Sequence, residues 1–144
     1  MRVEATKVLN ELLIYGLHAT QELNINKSSI QSNVLSTLEY LITLETIGLT
    51  EPTNYNANQN LKMIRELSLD CLFKCLENNG DNLIVGWSTV FKIIKAVCEN
   101  KRTNEVKKCF ESVNLICNDF LDELKVEELS ECIKILTLFA KFNI

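Results

Sequence analysis

"VKKCFESVNLICNDFLDEL", residues 106–124, spaces its apolar side chains as one face of an α-helix. Val106, Cys109, Phe110, Val113, Ile116, Cys117, Phe120, Leu121 and Leu124 recur mostly at three- and four-residue steps, the 3.6-residue period that an alternating strand cannot reproduce. Leu129, Cys132, Ile133, Leu136, Phe139 and Ala140 predict a second amphipathic helix after it. A slide of 45 positions lays an earlier pair of helices over this one: Ile64 falls on Cys109, Cys71 on Ile116, Leu76 on Leu121, Trp87 on Cys132 and Phe91 on Leu136.

That earlier pair reads as one helix over about residues 60–77, with Ile64, Leu67, Cys71, Leu72, Cys75 and Leu76 inward, and one carrying Ile84, Trp87, Val90, Phe91, Ile94, Val97 and Cys98. Gly80 is expected to end the first in left-handed geometry, Asp81 to cap the second and Thr103 to cap the helix after it. Upstream, Val8, Leu9, Leu12, Leu13, Leu17 and Leu23 form the stripe of a first helix. Ser28 and Gln31 have the spacing of a capping box before Ile30, Val34, Leu38, Leu41, Ile42 and Ile47, a helix that Gly48, Thr50 and Pro52 would stop. "EPTNYNANQN" at 51–60 reads as a polar loop. A repeat of roughly 40–47 residues is the period of HEAT and armadillo arrays. The fold class is therefore all-α, an armadillo/HEAT-like right-handed superhelix of about six helices, in hairpins at about 2–50, 60–100 and 103–144. "LFAKFNI" stays apolar to the last residue, which is expected of a fragment of a longer solenoid rather than a capped end.

Composition agrees with ordered helices: 47% of the 144 residues are hydrophobic and 24% charged, with four glycines and one proline. A net charge of −4 disfavours nucleic acid as a partner, since phosphate binding needs a clustered positive surface. The six cysteines form no CxxC pair and fall within helical patterns, as buried free thiols of a reducing compartment do. A zinc site is weakened by the single, distant His18. No secretory signal is legible, and no apolar run approaches the ~20 residues of a membrane span.

Trp87, after Gly86, shares a helical face with Phe91 and Ile94, so its indole is expected in the groove between hairpins rather than against a ligand. Lys92, Lys95, Lys101, Arg102, Lys107 and Lys108 concentrate positive charge around one turn, either a surface for anionic lipid or an acidic protein, or a solvated rim. Asp119, Asp122, Glu123, Glu127, Glu128 and Glu131 lack EF-hand spacing, and helix-start electrostatics accounts for most of them; Asp119 is the one expected to hold a fixed hydrogen bond. No phosphate loop, nucleophile motif or HExxH is present, so no catalytic, cofactor or metal residue is assigned.

"GWSTVFKIIKAV" followed by "VKKCFESVNLICNDFLDEL" resembles the helical region of the large Golgi proteins of the Mon-two family, relatives of the large Arf guanine-nucleotide exchange factors. Gly86, Trp87, Phe91, Phe110, Leu115, Ile116, Asp119, Phe120 and Leu121 carry the likeness, over about residues 63–144. The resemblance implies a non-catalytic scaffold, peripheral at Golgi and endosome membranes. Its implied partners are a Dop-one-type protein, a small GTPase of the Arf/Arl class or a lipid flippase. The regulatory region of a true Arf exchange factor and an unrelated HEAT-type scaffold remain alternatives.

Overall fold

The computed structural model describes residues 2–23, 27–45, 53–83 and 85–142. They form six α-helices and, among the described residues, no strand: α1 (Arg2–Leu23), α2 (Lys27–Ile42), α3 (Thr53–Asn79), α4 (Trp87–Asn100), α5 (Thr103–Asp119) and α6 (Val126–Lys141), with 3-10 turns at Gly80–Asn82 and Leu121–Glu123. In one layer α3 lies between α1 and α5; in the other α4 lies between α2 and α6. Contacts of α2 with α1 and α3, and of α5 with α4 and α6, close the layers onto one another. The molecule is an all-α repeat array with one continuous core running through both layers.

The 45-residue register holds in part of the burial pattern: of the pairs read from sequence, Leu76 and Phe91 are buried while Leu121 and Leu136 are exposed. Leu61 and Val106, Ile64 and Cys109, Cys71 and Ile116, Trp87 and Cys132, Val90 and Ile135, Ile94 and Phe139 are buried in both members of each pair. At these positions α5 turns the same side to the core as α3, and α6 the same side as α4. Five of the six thiols are buried and the sixth, Cys117, is half-buried with its Sγ 3.9 Å from that of Cys132.

Several local expectations are corrected. The segment read as a polar loop starts α3 at Thr53, because Asn58 and Leu61 continue its buried stripe and packing outweighs the weak helix propensity of asparagine. On α1 the buried side is Thr6, Asn10, Leu13 and Leu17, while Val8 and Leu12 are exposed. Asn10 faces inward because its amide donates to Leu67 O at 3.2 Å, tying α1 to α3. The helix of residues 27–42 includes Ser28 within its first turn and ends at Ile42, well before Ile47. Gly80 is not left-handed; the described glycine with positive φ is Gly86. Asp81 lies in the 3-10 turn, α4 is capped by Gly86, and Thr103 is the first residue of α5 rather than its cap. On α6 Ile135 replaces Ile133 and Leu136 in the core. Ile47, Gly48, Thr50, Pro52, Ile84, Ile144 and the side chain of Leu23 lie outside the described residues.

Candidate functional site

The link into α4 is built around Gly86. Its φ of 105° is accessible at low cost only without a side chain, and a Cβ there would overlap Leu35 of α2. The approach is held from α2 by Gln31, a buried residue read from sequence as half of a capping box. Its Nε2 donates to Asn82 O at 2.9 Å and its Oε1 accepts from Val85 N at 3.4 Å. Gln31 thus satisfies two backbone groups that the break between helices leaves without ladder partners. Trp87 then enters the core as the first residue of α4.

Trp87 is 2% exposed. Its ring stacks on Phe91 at 6.2 Å and 27°, and meets Phe120 at 6.0 Å and 46°. Phe120 in turn lies on Gly80, where a Cβ would stand 2.6–2.9 Å from its ring. Gly80, Gly86, Trp87, Phe91 and Phe120 therefore make one aromatic joint, at which the link after α5 seats on the link after α3. The indole Nε1 is buried and unpartnered among the described residues. An unmade hydrogen bond of this kind costs about 1–3 kcal/mol, which the burial of some ~150–250 Å² of ring offsets.

The remaining landmark residues lie elsewhere. Phe110 is half exposed, its ring edge-on to Phe139 at 5.4 Å; Leu121 is exposed on the second 3-10 turn. Ile116 is buried and Leu115 half-buried. Asp119, expected to hold a fixed hydrogen bond, is exposed at the last position of α5, with no such bond among the described residues.

The basic residues divide by pairing. Lys92 reaches Glu39 of α2 at 3.3 Å, Arg102 lies 3.8 Å from Glu105, and Lys108 meets Asp70 of α3 at 2.7 Å. The hydrogen bond to Asp70 raises the Lys108 pKa. Lys95, Lys101 and Lys107 are exposed and outside any described ion pair. Lys101 also ends α4 in the left-handed region, φ 57°, its N–H bonding Val97 O and Cys98 O.

Sequence reasoning missed a buried ion pair. Arg65 and Glu105 are 3% and 2% exposed; Nε lies 3.2 Å from both carboxylate oxygens, and Nη1 donates to Leu44 O at 3.0 Å. The pair locks α5 to α3 and secures the chain leaving α2. Its signal was a charge on each apolar stripe, Arg65 beside Ile64 and Glu105 beside Val106. Of the acidic cluster, Glu128 accepts from Lys125 N at 2.8 Å at the start of α6, and Glu131 pairs with Lys134 at 3.2 Å. His18 is exposed on α1. No group of three metal-ligating side chains occurs among the described residues.

Two layers of helices, joined by aromatic packing at their links, define a helical-repeat segment. Residues 18–115 match the Sec7-like HDS family, described as Mon2/Sec7/BIG1-like, and the chain belongs to that family. The match reaches back through α2 to the end of α1, beyond the residues 63–144 that carry the likeness in sequence, and stops before Ile116, Asp119, Phe120 and Leu121. Similar curated proteins include the Protein MON2 homolog of Drosophila melanogaster, 27% identical over 113 residues, covering 78% of this chain and 7% of that protein. The Schizosaccharomyces pombe MON2 homolog is 25% identical over 156 aligned positions, covering 96% and 10%. Brefeldin A-inhibited guanine nucleotide-exchange protein 1 of Arabidopsis thaliana is 27% identical over 79, covering 53% and 5%. The chain thus spans a tenth or less of the length of these relatives. No solved structure matches it.

Proposed function

We propose that this chain is a non-catalytic scaffold segment of a helical-repeat protein of Golgi and endosomal vesicle traffic, and that it works by holding other proteins. The observation that carries the reading is the use of the family's Gly-Trp landmark. Gly86 and Trp87 are committed to packing, with the indole closed between two phenyl rings, whereas a catalytic aromatic would border a cleft with convergent ionisable groups. Family membership and the MON2 homologs support the trafficking context. The proposed partner is a Dop-one-type protein or a small GTPase of the Arf/Arl class. Lys95, Lys101 and Lys107 are proposed to meet anionic lipid headgroups or an acidic partner surface, each contributing on the order of 1 kcal/mol at a membrane. The similarity to a nucleotide-exchange protein favours a second reading, the regulatory region of an Arf exchange factor.

Affinity purification of the tagged protein from its own cells tests the proposal. Recovery of the Dop-one-type protein or an Arf/Arl-class GTPase is expected. An exchange domain in the same polypeptide, with nucleotide exchange on Arf, would establish the second reading. Recovery of phosphatase or unrelated adaptor complexes would refute both.

A further inference from the structure

Cys117 and Cys132 stand where the preceding hairpin, 45 positions earlier, has Leu72 and Trp87. Those two large apolar side chains are closed into the core, 0% and 2% exposed. The thiols fill far less space, and Cys117 is left half-buried while Cys132 is buried. Hydrophobic packing by itself favours larger side chains at both positions. What the two sulfurs have instead is each other: their Sγ atoms lie 3.9 Å apart, one on α5 and one on α6. A disulfide holds its sulfurs at about 2.05 Å, an approach that side-chain rotation supplies when two cysteines already face one another. The other four thiols lack this combination. Cys71 and Cys75 share one helix, and they, Cys98 and Cys109 are all buried. Cys117 is thus the thiol open to a reagent in solvent, with a second thiol beside it.

We propose that Cys117 and Cys132 form a thiol–disulfide exchange site whose substrate is a small disulfide such as oxidised glutathione, and that the bond made there fastens α6 to α5. Cys117 loses its proton and its thiolate attacks one sulfur of the small disulfide; the displaced thiolate takes up a proton and leaves as a free thiol. Cys132 then gives up its proton, attacks Sγ of Cys117 and expels the second thiol in the same way. Two protein S–H bonds and one external S–S bond break, one protein S–S bond and two external S–H bonds form, and the small disulfide is the two-electron oxidant. Cys117 acts first because it is the accessible one. Burial raises the Cys132 pKa to about 11, which makes closure the slower step. Contact between α5 and α6 is otherwise slight, and Phe120, three residues beyond Cys117, seats on Trp87 and Gly80. A bond at Cys117 therefore braces the hairpin next to the aromatic joint. A reducing thiol pool keeps the pair open, and a shift of that pool toward disulfide closes it.

The reduced protein is held in glutathione buffers of increasing oxidised share, quenched with acid, alkylated and digested, and its disulfides are mapped by mass spectrometry while circular dichroism confirms that it stays folded. One dominant bond, Cys117 to Cys132, is expected, preceded by glutathione on Cys117 and reversed by excess reduced glutathione. In Cys132→Ala the adduct on Cys117 should persist. In Cys117→Ser, glutathione should reach Cys132 at least ~10-fold more slowly than it reaches Cys117 in the parent. The closed bond spans 15 residues and should raise Tm by roughly 5–10 °C. Absence of the Cys117–Cys132 bond from the folded protein at every glutathione ratio, or its formation only in urea, would overturn the proposal. So would modification of the four buried thiols as fast as Cys117, or a closed bond that leaves Tm unchanged. The map of the unsubstituted protein decides the matter where a variant fails to fold.

Discussion

At the scale of single residues, three glycines separate three physical situations. Gly16 sits on α1 where a Cβ would meet Ile30 at an ordinary 4.0 Å; Gly16→Ala should therefore stabilise the fold by about 0.5–1 kcal/mol, through helix entropy alone. At Gly80 the obstacle is the Phe120 ring, so Gly80→Ala should cost about 1–3 kcal/mol of overpacking. Gly86 combines a left-handed backbone with overlap on Leu35, and Gly86→Ala should cost about 2–4 kcal/mol. Urea denaturation of the three variants checks the order, and a stabilised Gly86→Ala would contradict the joint. Trp87→Ala is expected to lose about 3–5 kcal/mol. An unchanged melting temperature would place the indole outside the core. The importance of the Gly-Trp pair was legible in the sequence from its place on an apolar face. Which glycine carries the left-handed backbone was not, because both lie in the link between α3 and α4, and the choice is made by Gln31 and Leu35 of a helix far away in the chain.

Between elements, the Arg65–Glu105 pair sets how α5 sits on α3. Glu105→Gln leaves a buried guanidinium without its counter-charge and should destabilise by about 3–5 kcal/mol. The double change Arg65→Met with Glu105→Leu removes both charges and should recover most of that loss, since an apolar pair of similar volume is nearly neutral in such a site. Thermal unfolding of the single and double variants measures the difference; a double variant as unstable as the single one would mean that the bond from Arg65 to Leu44 O dominates. The helices themselves were legible from their periods. Their ends were not: α3 begins within an asparagine-rich stretch whose Asn58 and Leu61 are buried, and α2 ends before the glycine and proline that mark a stop in sequence.

Across the whole molecule, the buried thiols make stability depend on alkaline pH. Burial pushes Cys98 and Cys132 up to about 11 from an ordinary 9.0, with Glu99 and Cys117 adding to it respectively. Cys109 is also held well above 9.0 by burial, and Cys75 is raised by its hydrogen bond with Cys71 and by burial. A raised folded-state pKa means that the unfolded chain gives up its protons first. Stability should therefore be level below about pH 9 and fall as the pH rises toward about 11. Lys108, raised by Asp70, adds a loss of the same sign above about 10.5. Urea midpoints from pH 8 to 11 should show this decline, and a Cys98→Ala, Cys132→Ala variant should show a shallower one. A flat profile in the unaltered protein would mean that these thiols are solvated.

By itself the sequence determined the all-α class, the 45-residue repeat and the apolar core positions common to both copies, since each follows from spacings of a few residues along one helix. Tertiary structure alone decided which apolar residues stay outside, Phe110, Leu121, Ile133 and Leu136 among them, and which polar ones go in, Gln31, Arg65 and Glu105. Periodicity identifies a face, but whether that face is covered depends on the helix that arrives from another part of the chain and on the partner group it brings.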